Sequence, residues 1–592
     1  MALKRIMGTE TEYGISGGTA SSVVAAYLGK KRGHENLGKT NESIIASFTD
    51  VGGHNGGDYG FLDEQLAEAY GIHYPSQMHR TPIYAYKRTP TCTYAGPDDM
   101  IDNGARFYVD MDHPEYCTPE TSNPRDLVIA DKAGELIVLE SAKKADPSIK
   151  IYKNNSDSQG NSYGCHENYL MKRYSSSDFQ NVVVPALIPF FITRQIYAGA
   201  GKIGIEHERA NSYSSEGYRS DRGYAYLKSE ALRSLESLSR HFLDIPSFSQ
   251  VQELLSSFLQ KRQEKGEQQI YQLSQRADFF TETIGLQTTY NRPIINTRDE
   301  PHADSGKYMR LHVILGDANL CEIATYLKTG TTALVLDLIE EGFAPALSVK
   351  DPVRQHQEIS LDQSRKWILH MEDGKTISAV DIQRMYLEAA KKAYAGRDPI
   401  TNHLLGKWES TLDALVSDPL ELMGTVDWVT KLGLLQHLME KDDLSLTDQK
   451  IRNAALQYHD INRETGLFYY LQKNNLAERI STDEEIINAV LNPPEDTRAY
   501  LRTKIGETCE VSQVDWSGFT LKTSEGEKKV SLLEPFSGTK EQIGYLLQEQ
   551  PERIIEELRK TPGISVEKKP SWFKWGRGIS RRLKTKYKGG KK

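Results

Sequence analysis

Residues 103 to 116, Asn-Gly-Ala-Arg-Phe-Tyr-Val-Asp-Met-Asp-His-Pro-Glu-Tyr, constrain the fold of this chain more than any other stretch. Residues 105 to 112 alternate as a β-strand does, with every second side chain on the same face. On that reading Arg106, Tyr108, Asp110 and Asp112 share one face, and Phe107, Val109 and Met111 make the apolar one. His113-Pro114 is expected to stop the strand, since proline has no ladder donor, and Glu115 adds a carboxylate at its end. A fixed cation, a phenol and several carboxylates on one rigid strand suit a hard metal ion and an anionic substrate. The pattern also describes a half-exposed antiparallel strand with an ordinary charged face, and the segment alone leaves both open.

At 592 residues the chain exceeds the ~250–300 at which a single core stops growing, so at least two domains are expected. The longest apolar runs, such as 182 to 192, fall short of the ~20 residues that span a bilayer. The first ten residues have no apolar signal core. Five scattered cysteines without a CxxC indicate neither a zinc site nor a disulfide framework, so a cytoplasmic location is expected. A net charge of −8 argues against general nucleic-acid binding by the whole molecule. The segment 568 to 592 is the exception: it is strongly basic, carries Trp572, Phe573 and Trp575, and has no acidic residue. It reads as a disordered tail, or as one that docks on a membrane surface, nucleic acid or an acidic protein.

Residues 4 to 16 read as a first strand, with Glu10 and Glu12 two apart and therefore on one face. Residues 17 to 98 lack steady periodicity beyond a short helix near 21 to 29, and form a long loop insertion. A helix is expected around 123 to 145 with a short internal break, and another over 183 to 197. Residues 205 to 270 are charged and Ser-rich, with helical periodicity from 227 to 262, and read as a surface insertion. Short strands return over 271 to 319, a buried helix over 330 to 341, and mainly helix over 380 to 475. Asn492-Pro493-Pro494 marks a boundary. It divides a large domain, 1 to 491, from a small α+β module, 492 to 567, with a hairpin across 524 to 526 and a helix over 540 to 548.

Three constellations carry chemistry. Glu10, Glu12, Asp110 and Glu115 with Tyr108 are clustered oxygen donors, which point to Mg²⁺ or Mn²⁺. Arg298-Asp299-Glu300-Pro301-His302 offers a phosphate-clamping arginine and a candidate metal ligand, His302. Cys165-His166-Glu167 is not an HExxH helix, because Leu170 stands where the second histidine would be, and a lone histidine such as His166 is more often a satisfied structural residue than a ligand. Arg276 is a further candidate phosphate contact or a surface ion pair. Gly199-Ala200-Gly201-Lys202-Ile203 lacks the leading glycine and the Ser/Thr of a P-loop, which excludes a Walker-type nucleotide site there.

Taken in order, Gly-Thr-Glu-Thr-Glu-Tyr-Gly at 8 to 14, Asn-Gly-Ala-Arg-Phe-Tyr-Val-Asp…His-Pro-Glu-Tyr, Ser-Tyr-Gly-Cys-His-Glu-Asn-Tyr, Ile-Ile-Asn-Thr-Arg-Asp-Glu-Pro-His-Ala-Asp and Leu-His-Val-Ile-Leu-Gly-Asp-Ala-Asn-Leu resemble the Pup ligase/depupylase family. Its members attach prokaryotic ubiquitin-like protein (Pup) to lysines or remove it. The resemblance spans roughly 4 to 16, 99 to 204 and 271 to 550. It implies an α+β, glutamine synthetase-like fold: a curved antiparallel sheet forming a cradle, backed by helices, with a small C-terminal domain.

It further implies that Glu10, Glu12, Tyr108, Glu115, His166 and His302 surround Mg²⁺. Arg106, Arg276 and Arg298 would contact phosphates or the reacting carboxyl. Thr118 and Trp516 would contact ATP, or ADP plus phosphate, with Trp516 on the base. Asp110 matches the catalytic aspartate. The implied partners are Pup and pupylated proteins, with a functional link to the bacterial proteasome and a monomer as the expected state.

The Gly-Thr-Glu-x-Glu-Tyr-Gly-Ile strand, the motifs around 316 to 342 and the long loop before the Asp110 strand resemble depupylases more than ligases. The expected activity is therefore hydrolysis of the Pup isopeptide bond and of the side-chain amide of Pup's C-terminal Gln, with ligation as the alternative. The sequences of 17 to 98, 205 to 270 and the tail depart from the family pattern.

Overall fold

The computed structural model describes residues 4–28, 100–206 and 270–568. Most of the 17 to 98 loop, nearly all of the 205 to 270 insertion and the basic tail lie outside these residues. Seven strands make the central sheet: β1 (Met7–Glu12), β2 (Arg106–Asp110), β3 (His113–Cys117), β4 (Cys165–Lys172), β5 (Phe280–Gly285), β6 (Arg292–Asn296) and β7 (Tyr308–Val313). Their spatial order is β2-β3-β1-β4-β7-β6-β5. All pairs are antiparallel except β5 with β6. The sheet is thus antiparallel, as expected, but for one parallel pair at its edge.

The opening segment folds as a hairpin. β2 ends at Asp110, residues 111 and 112 turn, and β3 begins at His113 opposite Asp110. His113-Pro114 therefore starts a strand where it was expected to stop one. Met111 takes a left-handed φ of 48° and is exposed, and Asp112 is exposed beside it. Neither joins a sheet face. Phe107 and Val109 bury as expected, in a core shared with Tyr116 and with Ile137 and Val138 of the helix behind. The predicted first strand divides in two, because after β1 the chain leaves the central sheet at Tyr13 and residues 14 to 16 pair with 150 to 152.

Helices back the sheet: α1 (Ala20–Leu28), α2 (Pro124–Ala145), α3 (Val184–Ala198) and α4 (Glu322–Glu341). The side chain of Asn123 caps α2 by accepting from the Arg125 and Asp126 amides, and Pro124 fills the first turn. The helix is unbroken, contrary to the sequence reading. Gly134 in its middle marks a close approach to Tyr116 on β3, since a Cβ there would lie 2.4 Å from a ring carbon. Tyr116 cannot yield, as it is buried and its hydroxyl accepts from Asn103 at 2.9 Å. Gly134→Ala is accordingly expected to lower the thermal midpoint: overpacking costs about 1–3 kcal/mol, against about 1 kcal/mol gained in helix propensity. A midpoint unchanged or raised would contradict this contact.

The stretch Ser176–Ala198, containing α3, is by length and composition apolar enough to cross a membrane, but 72 % of its apolar window is buried inside the protein. It packs with α4 beneath β4 and β7, where Tyr169, Met171, Leu311 and Val313 point inward. The Arg194 guanidinium in α3 is fully buried and pairs with Glu167, the inward-facing neighbour of His166.

Near the C-terminal end, β8 (Val511–Asp515), β9 (Gly518–Thr523), β10 (Gly526–Ser531) and β11 (Ser565–Lys568) form a second sheet. Leu501, Phe519, Val530, Leu532 and Ile554 fill a separate core beneath it. The hairpin turns at 524 and 525 as predicted, and the helix expected over 540 to 548 continues past Ile543 as a tighter 3₁₀ segment.

Candidate active site

Strand register assembles the polar face of the sheet in rows. Arg106, Cys117, Glu10 and His166 lie in one row across β2, β3, β1 and β4. Tyr108, Glu115 and Glu12 make the next. On the other side, Gly8, Asn168, His312 and Asn296 run across β1, β4, β7 and β6. Asp110 stands at the end of β2, beyond the Tyr108 row.

Glu10 is the hub. Its carboxylate accepts from Asn168 Nδ2 at 2.9 Å and lies 3.4 Å from His166 Nδ1, 3.9 Å from His312 Nε2 and 4.0 Å from an Arg310 guanidinium nitrogen. Burial pushes this carboxyl up, but the hydrogen bond to His166 and the neighbouring His312 and Arg310 hold it well below the carboxylate range. One donor atom each from Glu10, His166 and His312 lie within 4.8 Å of one another. His312 is 3 % exposed, and its Nδ1 faces Asn296 Oδ1 at 3.3 Å. That oxygen only accepts, so Nδ1 carries the proton and Nε2 is left with a lone pair. Nε2 is buried without a hydrogen-bond partner and faces Glu10.

The other carboxylates crowd each other. Burial, then Glu12, Glu10 and Asp110, push Glu115 far above its usual range. Burial and Glu12 likewise raise Asp110, and burial raises the Tyr108 phenol. A divalent cation would reverse these shifts, because its charge outweighs any single carboxylate there. The donors fit such an ion: carboxylate oxygens suit Mg²⁺, and two imidazoles also accept Mn²⁺. A side chain at Gly164 would crowd these donors, since a Cβ there would come within 2.5 Å of His166 Nε2 and 2.8 Å of Glu12 Oε1.

A cavity of about 410 Å³ opens over this face and reaches the C-terminal module. Ten of the sequence-predicted residues line it: Glu10, Arg106, Tyr108, Asp110, Glu115, Thr118, His166, Arg298, His302 and Trp516. Trp516 enters from the turn between β8 and β9, and Thr118 Oγ1 accepts from the Thr9 amide at 3.0 Å. Glu12 is buried in its row and does not line the cavity.

Arg276 does not reach the cavity either. It is 1 % exposed, donates to Ser162 Oγ and the Ile314 carbonyl, and is pushed down to about 10 by burial and by Arg292. His302, which the resemblance put among six residues around Mg²⁺, is exposed on the cavity rim, and the close group of possible ligands is Glu10, His166 and His312. Sequence reasoning missed His312 and Arg310, although their two-residue spacing in β7 is the same signal that revealed Glu10 and Glu12. It also missed Arg498 and Glu120, which no local pattern distinguishes. Lys202 of the rejected P-loop pairs with Asp278 at 2.6 Å.

A family model described as Pup-ligase protein matches residues 5–520. A depupylase of Acidothermus cellulolyticus is 36 % identical over 571 residues, covering 92 % of this chain and 97 % of that protein. A Pup deamidase/depupylase of Mycolicibacterium smegmatis is 34 % identical, covering 94 % of this chain and all of the relative. Among solved structures, the Pup ligase PafA of the prokaryotic ubiquitin-like modification pathway, in complex with ADP, aligns with a TM-score of 0.60 and 33 % identity. It covers 77 % of this chain and 90 % of the ligase.

Proposed function

The chain belongs to the Pup-ligase family, and from that premise we propose that it is an ATP-dependent depupylase and Pup deamidase. The observation that carries the reading is extent. Sequence likeness to the two depupylases runs over 92 % and 94 % of the chain, whereas sequence likeness to the Pup–protein ligase of Kineococcus radiotolerans runs over 76 %.

The site is suited to that chemistry. Arg106 and Arg298 would hold nucleotide phosphates or the carboxyl end of Pup, with Thr118 beside them and Trp516 against the base. Glu10, Glu12, Tyr108, Glu115, His166 and His312 would hold Mg²⁺, which supplies charge neutralisation for phosphate and for a developing oxyanion. Asp110 would attack the side-chain carbonyl carbon of Pup's terminal residue, or take a proton from water that does so. The C–N bond breaks, the lysine amine or ammonia leaves with a proton, and water's hydroxyl completes the carboxyl. The reading places the enzyme in the cytoplasm, where it would release tagged proteins before a bacterial proteasome takes them.

The test is to incubate the purified protein with a Pup-tagged substrate, Mg²⁺ and a slowly hydrolysed ATP analogue. Free substrate should appear, because nucleotide is bound and not consumed in each cycle. Formation of conjugates from free Pup, with one ATP split per bond, would instead make it a ligase.

A further inference from the structure

One buried carboxylate ties the loop after β3 to the C-terminal module. Glu120 accepts from Arg498 Nε at 2.8 Å and from Arg502 Nη1 and Nη2 at 2.7 and 2.5 Å. Burial pushes its carboxyl up, but the two guanidinium groups hold it down to about 2. The neighbouring backbone is fastened too, with Thr497 Oγ1 donating to the Glu120 carbonyl at 3.0 Å and Ser122 bonded to Asp496.

Each arginine then reaches a different part of the cavity rim. Arg502 Nη1 also donates to the Trp516 carbonyl at 2.9 Å, and its guanidinium carbon lies 5.0 Å from the centre of the indole ring. Arg498 Nη1 donates to the carbonyl of His302, which holds a left-handed φ of 47°, and to that of Leu532 at 2.8 Å. Trp516 stands on a tight turn and is only partly buried, and the Arg502 cation on its face is a contact that can hold the ring.

We infer that Glu120 is a positioning residue for the nucleotide: acting through Arg502 it sets Trp516 relative to the sheet, while Arg498 completes the neutralisation of its charge. The inference rests on the nucleotide reading of the cavity given above. A carboxylate that merely glued the module to the sheet would alter stability alone. One that works through Trp516 must lose its influence once that ring is gone.

A double-mutant cycle on the full chain separates these roles. ADP affinity is measured by titration calorimetry with Mg²⁺ for the unaltered protein, Trp516→Ala, Glu120→Gln and the double variant. Loss of base stacking should weaken ADP by about tenfold in Trp516→Ala. Glu120→Gln should weaken it severalfold, and the double variant should bind no worse than Trp516→Ala within about twofold. Arg502→Lys, which leaves Arg498 to neutralise Glu120, replaces Glu120→Gln in the same cycle should that variant not fold. Unchanged affinity in the single variant, or effects that multiply, would overturn the inference alone. Failure of the unaltered protein to bind ADP would overturn the nucleotide reading and this inference with it.

Discussion

Asp110→Asn is expected to lower kcat for release of a Pup-tagged substrate by about 10³-fold or more, the scale on which reacting groups are lost. ADP affinity and the thermal midpoint should stay close to those of the unaltered protein. The split follows from position. Asp110 ends an edge strand, half-exposed, and its charge is opposed by burial and by Glu12 and Glu10. A neutral side chain of the same shape relieves that opposition, so the fold does not suffer. The nucleotide contacts assigned to Arg298, Thr118 and Trp516 lie on other elements. Gel assay of conjugate cleavage, with calorimetry of ADP binding, checks both halves. Turnover that survives the substitution would move the reaction to another carboxylate of the cradle.

Glu10→Gln is expected to weaken divalent-ion binding by at least about 10²-fold, since even outer-shell partners of a metal site contribute 10–100-fold. The substitution removes the carboxylate charge around which His166, His312, Asn168 and Arg310 converge. Mn²⁺ titration followed by electron paramagnetic resonance reads this without reference to turnover. Asn296→Ala, which frees His312 Nδ1 from its acceptor, should weaken the same signal less. Equal Mn²⁺ affinity in Glu10→Gln and the unaltered protein would remove Glu10 from the ligand set.

Much of this site is legible in the sequence because a strand's period of two is visible locally. Glu10 and Glu12, and Arg106, Tyr108 and Asp110, declare a common face before any strand is paired. The long motifs then place His166 and Arg298 near them, and the family resemblance adds Trp516. What the period cannot supply is the pairing. His312 enters only because β7 lies beside β4 with His312 opposite Asn168. Arg276 was expected at the phosphates, but it faces Ser162 and the Ile314 carbonyl from within the core. Proline at 114 suggested a stop, yet a two-residue turn comes earlier, and the missing amide is tolerated where the new strand starts. A short internal break was expected in α2, but the helix is continuous, and the glycine at its middle, Gly134, serves the close contact with Tyr116.

The rows across the sheet also govern how the enzyme comes into being. Glu10, Glu115, His166 and His312 are brought together by strands drawn from positions 7 to 313, and the first four strands of the sheet already carry all of them but His312. A slip of one residue between β1 and β4 would turn Glu10 and Glu12 toward the helices and present Thr9 and Thr11 in their place. A sheet paired out of register would therefore lack this set of donors, and the set is complete only where the strand of His312 lies beside that of Asn168.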